Sequence, residues 1–451
     1  MPHFKTAKFH LPSLPFKVAN TLGEFCFIQK FCSTQNPYFC LLQVCFTPKD
    51  SKEKVKHFFL EIKTHSKDSS KIQETIVHFD KYSRISPIEI TKEALKILMN
   101  FQDSILTQNL QGKSLALKHR LPFIKNIEDF LDFELLLEKQ IPKLKQPTKL
   151  KNYNFTTKQT SQDSNQPIKI WLEIGFGSGR HLLHNAKKHP EILHIGLEIH
   201  RPSLEQVARQ IGLLGLENLL ILAYDARIFL ELLPSNILDK IFIHFPVPWD
   251  KQPSRRILSH TFLSQSSRTL KQNGSLQLRT DSLEYFNYAK NLAQNFKEDF
   301  QIESQMNAKE EITSKYEARW LRQKKDIYNL ELYALRPSAP RKLNFDFSFL
   351  DLDSKPLHFL PKNFHKIKIV QKDYFLHLED LLLSDSKSQQ SPCVLKVSFG
   401  DFHYPQTRYI LQTNHIEYFR ENPLPTFLNH QSHIQLLQII QNDFNPHYKE
   451  G

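Results

Sequence analysis

The chain has 451 residues, 40% of them hydrophobic and 12% aromatic, which exceeds one ordinary domain and lets each of two or three domains bury a core. It has no run of roughly 18 apolar residues, and its N-terminal "MPHFKTAKFHLPSLPF" lacks the apolar stretch of a secretion signal, so neither a membrane span nor a leader is expected. The net charge of +13 favours a polyanionic partner, nucleic acid before an anionic membrane.

Residues 1–115 read as a small mixed α/β domain. "FCLLQVCF", "HFFLEI" and "TIVHF" are strand-like, and "TKEALKILMNF" is helical. Residues 116–160 read as an amphipathic helix over 121–140 followed by a basic linker, with six Lys, two Pro and no acid across 139–158. Residues 161–337 alternate strands with helices: "IKIWLEIG", "LHIGLEI", "LLILAYD", "DKIFIHF" and "GSLQLRTD". That order indicates a parallel sheet covered on both faces, with "DFQIES" and "IYNLELYAL" as a closing antiparallel pair. Residues 338–451 read as a β-rich accessory domain, with strands at "NFDFSF", "HKIKIV", "CVLKVSF" and "RYILQT", a final helix at "SHIQLLQIIQ" and no sequence repeat. Four of the five cysteines (Cys26, Cys32, Cys40, Cys45) lie among apolar residues, and none forms a CxxC pair. Reduced core thiols in a cytoplasmic protein are therefore expected, and no metal site.

Glycine is scarce, at 11 residues, about a third of the usual share of roughly 7%. Three of them, Gly175, Gly177 and Gly179, fall within five positions, where "WLEIGFGSGR" ends a strand and opens a helix. Dinucleotide enzymes use such a loop as GxGxxG, but here Arg180 stands where that pattern has its third glycine. Glu173 at the strand tip would repel a pyrophosphate; it suits the ammonium and sulfonium of S-adenosylmethionine. Glu198 ends the second strand, where a carboxylate can accept both ribose hydroxyl protons. Asp225 ends the third, where an acceptor can take the adenine amino group. Open α/β sheets bind ligands at the carboxyl ends of their strands, and three acids stand at three such ends.

The fourth strand runs into "FPVPWDKQPSRR". Pro246 and Pro248 stiffen this loop. Trp249 offers a face on which a base can stack, and Lys251, Arg255 and Arg256 can hold phosphates. An aromatic and anionic substrate fits, a nucleotide within RNA or DNA.

Taken together, LEIGFG, GLEIH, a strand-end Asp, FPxPW with a Lys two residues on, RTD and a late TSKYE resemble the bacterial tRNA (guanine-N7)-methyltransferase family over about residues 168–335. The resemblance implies a class I methyltransferase fold, a Rossmann-like sheet with added N- and C-terminal domains. It also implies tRNA as partner, S-adenosylmethionine as cofactor, and methylation of a variable-loop guanine. It implies cofactor roles for Glu173, Glu198 and Asp225. It implies RNA or guanine contacts for Lys251, Asp281, Ser314, Lys315, Tyr316 and Glu317. The family usually has Asp between the two prolines; this chain has Val247. Guanine N7 has a free lone pair and no proton to lose, so alignment supplies most of the rate, and Asp281 is the expected catalytic carboxylate beside a cationic product. Two alternatives remain: a methyltransferase scaffold that binds RNA or a partner with weakened turnover, and an amino methyltransferase acting on adenine or cytosine.

Overall fold

The computed structural model describes residues 2–50, 54–66, 73–110, 121–144, 168–312, 322–341, 345–349, 366–384, 392–402 and 404–441, with residues 317 and 319. In chain order the first segment forms β1 (His3–Thr6), β2 (Phe16–Ala19), β3 (Gly23–Ser33), β4 (Phe39–Pro48), β5 (Lys56–Ser66), β6 (Gln73–Phe79), α1 (Ile88–Met99) and β7 (Thr107–Gln108). The middle forms α2 (Phe133–Gln140), β8 (Ile170–Ile174), α3 (Arg180–Lys188), β9 (Leu193–Leu197), α4 (Arg201–Leu214), β10 (Leu219–Leu222) and α5 (Ala226–Leu232). It continues through β11 (Leu238–His244), α6 (His260–Thr269), β12 (Leu270–Thr280), α7 (Leu283–Ala293), β13 (Phe300–Met306) and β14 (Tyr328–Ala334). The last segment forms β15 (Ile367–Val370), β16 (Phe375–Ser384), β17 (Cys393–Gly400), β18 (Gln406–Gln412), β19 (Ile416–Tyr418) and α8 (Phe427–Gln441).

The middle segment, Arg120–Leu343, is one compact unit. Its sheet runs β10-β9-β8-β11-β12-β14-β13. The first five strands are parallel and the last two join antiparallel. β9 and β10 are buried at every position, as strands covered on both faces require. The chain steps outward from β8 to β10, then returns to place β11 on the other side of β8. This is the Rossmann-like sheet that the family resemblance implies, and its switch point lies between β8 and β11. Helix starts follow local chemistry. Asp225, Ser259 and Ser282 cap α5, α6 and α7 by accepting from the Arg227, Phe262 and Tyr285 amides.

Residues 121–140 depart from the expected single helix. Residues 121–125 run beside β10, with the Ile221 amide donating to Phe123 O and the Lys125 amide to Ile221 O. Asn126 then caps a 3-10 turn over Ile127–Phe130, and Asp132 caps α2. Two N-caps within seven residues split the helix that the apolar spacing suggested. Most of the basic linker lies outside the described residues. Helix α7 was not anticipated.

The two terminal segments, read from the sequence as separate domains, form a single unit, Met1–His119 with Asn344–Gly451. They share one 12-stranded sheet, in which β3 and β16 are hydrogen-bonded neighbours. The sheet is also a structural repeat. β2-β3-β4-β5-β6-α1 and β15-β16-β17-β18-β19-α8 follow the same path in the same register. Phe16 opposite Phe27 matches Ile367 opposite Leu378, and Phe25 opposite Phe46 matches Leu376 opposite Phe399. Cys40 opposite Ile62 matches Cys393 opposite Gln412, and Ile62 opposite Val77 matches Gln412 opposite Ile416. The second strand pair of each copy, β3-β4 and β16-β17, has a register shift at the same point, Phe27/Gln29 and Leu378/Asp380. Between β3 and β16, Ser33 faces Leu382, Cys32 faces Leu383 and Phe31 faces Ser384, which is two-fold symmetric about Cys32 and Leu383. Each copy packs its helix on the same strand positions: Phe25, Phe27, Leu42, Val44, Phe46 and Leu60 with α1, and Leu376, Leu378, Leu395, Val397, Phe399 and Ile410 with α8.

No repeat was visible in the sequence because only alternate, helix-facing positions persist. "FCLLQVCF" and "PCVLKVSF" share Cys, Leu, Val and Phe at every second residue. Residues 345–349 of "NFDFSF" are not a strand: Phe347 and Phe349 enter the α8 core from a segment outside the sheet. Cys32 and Cys40 stand directly opposite, their Cα atoms 4.2 Å apart, and form a disulfide in place of the expected reduced thiols; Cys26, Cys45 and Cys393 are free.

Candidate functional site

The carboxyl ends of β10, β9, β8, β11 and β12 share one edge. The acids singled out in the sequence stand there: Glu173 within the last two residues of β8, Glu198 directly after β9, Asp225 three residues past β10 and Asp281 directly after β12. Gly175, Gly177 and Gly179 follow β8 with φ of +69°, +52° and +73°, values that favour glycine. A Cβ on Gly179 would sit 2.4 Å from Val207 Cγ2, so this glycine lets α3 pack on α4. A Cβ on Gly175 would meet nothing within 4 Å, and one on Gly177 only Gly175 O at 4.0 Å; both border open space.

Glu198 braces this loop. Its Oε2 accepts from the Gly177 amide at 2.9 Å and its Oε1 from the His200 amide at 2.9 Å. A carboxylate has about four lone-pair sites, so capacity remains for a ligand hydroxyl pair. Asp225 accepts from the Arg227 amide at 2.9 Å and from its Nε at 3.1 Å. Glycines facing open space, a braced carboxylate and further acids at adjacent strand ends fit a cationic, ribose-bearing ligand such as S-adenosylmethionine. Among the described residues no group of three or more His, Cys, Asp or Glu forms a metal cluster, and no helix is long and apolar enough to cross a membrane.

Beneath the loop lies a polar network the sequence did not reveal. Glu173 is buried, with its Oε2 2.7 Å from His181 Nδ1 on the first turn of α3. Burial opposes protonation of His181, but the charge and hydrogen bond of Glu173 outweigh it and raise the imidazole above its ordinary value. The His244 ring packs 4.4 Å from the His181 ring. Burial, reinforced by His181, holds His244 well below its ordinary value, and its Nε2 lies 2.8 Å from Gln277 Oε1. Gln277 donates to Glu310 at 2.9 Å. The fully buried Arg279 donates to Glu310 at 3.3 Å, to Ala308 O at 3.2 Å and to Glu317 at 2.5 Å. Glu317, expected to touch RNA, is thus a buried counterion of Arg279. Buried charges are kept when paired and hydrogen-bonded, and this pairing takes up the carboxylate. Ser314, Lys315 and Tyr316 lie outside the described residues.

The loop after β11 is strained. Phe245 and Trp249 have φ of +51° and +48°, and bulky residues there cost on the order of 1–3 kcal/mol each. Trp249 and Val247 are exposed, and the Arg255 guanidinium lies 5.0 Å from the Trp249 ring centre. Lys251 and Arg255 face solvent. Arg256 does not; it is 3% exposed and bonded within the protein, which removes it from the phosphate contacts read from the sequence. Asp281 is partly exposed, with Lys325 Nζ 3.6 Å from its Oδ2.

The edge therefore brings together the glycine loop, Glu198, Asp225, the FPVPW loop and Asp281, and turns Arg256 and Glu317 inward. His181, His244 and Arg279 were missed as partners. Only Arg279 carried a signal, as the first residue of RTD.

A family model described as "Putative methyltransferase" matches residues 167–330. Over nearly its whole length the chain is similar to proteins named tRNA (guanine-N(7)-)-methyltransferase. One from Wolinella succinogenes is 38% identical, covering 96% of this chain and 98% of that protein. One from Helicobacter hepaticus is 35% identical, covering 98% and 99%. One from Helicobacter pylori is 34% identical, covering 98% of each. These relatives share both terminal segments. A looser likeness, to the crystal structure of the 16S rRNA methyltransferase KamB, is 18% identical over 37% of this chain and 88% of that one; its TM-score of 0.31 is too low to carry weight.

Proposed function

The chain belongs to the tRNA (guanine-N7-)-methyltransferase family, and from that premise we propose that it methylates N7 of a variable-loop guanine in tRNA, in the cytoplasm, using S-adenosylmethionine. The observation that carries this reading is the shared sheet edge, where the braced glycine loop and three strand-end acids stand beside an exposed, stiff, aromatic and basic loop. S-adenosylmethionine supplies an electrophilic methyl group on a sulfonium.

The chain's residues do the rest. Gly175 and Gly177 admit the ligand close to the backbone, Glu198 takes ribose hydroxyls, Asp225 takes the adenine edge, and Glu173 contributes negative charge beneath the loop. Trp249 stacks on the target guanine while Lys251 and Arg255 hold flanking phosphates. N7 needs no general base, so alignment is the main contribution. The methylated ring is cationic, and with Val247 in the place of the usual family Asp, Asp281 is the nearby carboxylate that offsets the new charge.

Single-turnover methylation of tRNA tests this. Asp281→Asn keeps the shape and loses the charge, so its rate falls by at least about tenfold with cofactor affinity held within about twofold. Val247→Asp restores a second carboxylate and raises the rate or leaves it unchanged. Full activity in Asp281→Asn contradicts the role of Asp281. An inactive wild type that still binds cofactor favours the RNA-binding scaffold.

A further inference from the structure

Arg256 is nearly inaccessible, yet it belongs to the loop that carries Trp249. Its Nε donates to Pro248 O at 2.7 Å, the carbonyl directly before Trp249. Its Nη2 donates to Glu284 Oε1 at 2.8 Å, and Asp250 Oδ1 lies 3.4 Å away. The guanidinium carbon sits over two tyrosines of α7, 5.2 Å from the ring centre of Tyr285 and 4.8 Å from that of Tyr288. Those tyrosines are fixed in turn: Tyr285 OH accepts from the Leu258 amide at 3.3 Å and Tyr288 OH donates to Leu258 O at 3.1 Å. Glu284 is the second residue of α7, three positions after Asp281, and Ser282 caps that helix. One side chain therefore joins the loop after β11 to the helix start after β12.

The loop needs such a joint. Trp249 holds a left-handed backbone that a bulky side chain does not keep unaided. Among the described residues its flanking backbone restraints are two: the Phe245 amide donates to Arg279 O at 2.7 Å, and the Gln252 amide donates to Trp249 O at 2.9 Å. Between those points Pro246 and Pro248 have no amide to donate, and Val247 points to solvent. The carbonyl of Pro248, between them, accepts from a buried charged side chain.

We propose that Arg256 is a positioning residue for methyl transfer: it locks Trp249 in its strained conformation and ties it at fixed separation to the Asp281 end of β12. This rests on reading the loop as the surface that receives the target base. Lysine cannot replace arginine, because a single ammonium cannot serve Pro248 O and Glu284 at the angle of the planar fork while covering two aromatic faces.

The test uses the full chain labelled with 5-fluorotryptophan, together with single-turnover methylation at saturating tRNA and cofactor. In Arg256→Lys the fluorine resonance of Trp249, assigned with Trp249→Phe, should shift and broaden while the other two tryptophan resonances stay in place. The methylation rate should fall at least tenfold with cofactor affinity unchanged. In Arg256→Ala, millimolar guanidinium chloride should restore part of the rate saturably, and sodium chloride at equal ionic strength should not. A Trp249 resonance unchanged in both variants overturns the proposal, whether or not the wild type turns over. So does a wild-type rate in Arg256→Lys, or a loss of rate that tracks loss of cofactor binding and of all three resonances together. A wild type that methylates no guanine, with a displaced Trp249 resonance in the variants, would refute the function and leave the locking role standing.

Discussion

Glu198 braces the Gly177 amide from one side and, in the proposed complex, holds ribose hydroxyls from the other. Losing charge-assisted hydrogen bonds of this kind costs about 1.5–3 kcal/mol, so Glu198→Ala should bind S-adenosylmethionine roughly 10- to 150-fold more weakly by calorimetric titration. Unchanged affinity in a folded variant would refute the ribose role. His181 gives a prediction of a different kind. Its imidazole titrates above its ordinary value because of Glu173, so protonation is tighter in the folded than in the unfolded chain. The stabilisation is full below the unfolded value of about 6.5 and is lost as pH rises through the folded one. Thermal unfolding of wild type and His181→Gln should therefore differ more at pH 6 than at pH 9. A gap that widens with pH would show that His181 is neutral in the folded protein.

At the level of elements, the middle unit was legible because its parallel strands are short apolar runs that alternate with helices, most of them ending at an acid. α7 was missed because Tyr285, Phe286 and Tyr288 obscured its helical spacing, although Ser282 is a good cap. The helix expected over 121–140 failed because caps at Asn126 and Asp132 outweighed apolar periodicity. The terminal repeat was illegible for a deeper reason. Pairing of β3 with β16 is a contact between residues some 350 positions apart, and the copies retain only the side chains that face α1 or α8. The repeat makes a quantitative claim. Leu42 and Leu395 occupy equivalent, fully buried positions, so Leu42→Ala and Leu395→Ala should each cost about 2–5 kcal/mol in denaturant unfolding, and by similar amounts. A large effect at one position with almost none at the other would show that the copies are not equivalent in packing.

At the scale of the whole molecule the proposed chemistry gathers, among the described residues, on one edge of one sheet, and the order of residues along the chain hid part of it. Arg256 and Glu317 sit in motifs that read as RNA contacts, yet both face inward and hold other parts of the site in place. Charge alone identifies candidate phosphate ligands; burial separates Lys251 and Arg255, which are free to reach a backbone, from Arg256, which is not. The measurement that tests the account most directly is the identity of the product. The purified chain, incubated with S-adenosylmethionine and an unmodified tRNA transcript and then digested to nucleosides, should yield 7-methylguanosine, and replacing the variable-loop guanine should abolish it. Methylated adenosine or cytidine, or no methylated nucleoside from a protein that binds the cofactor, would contradict it.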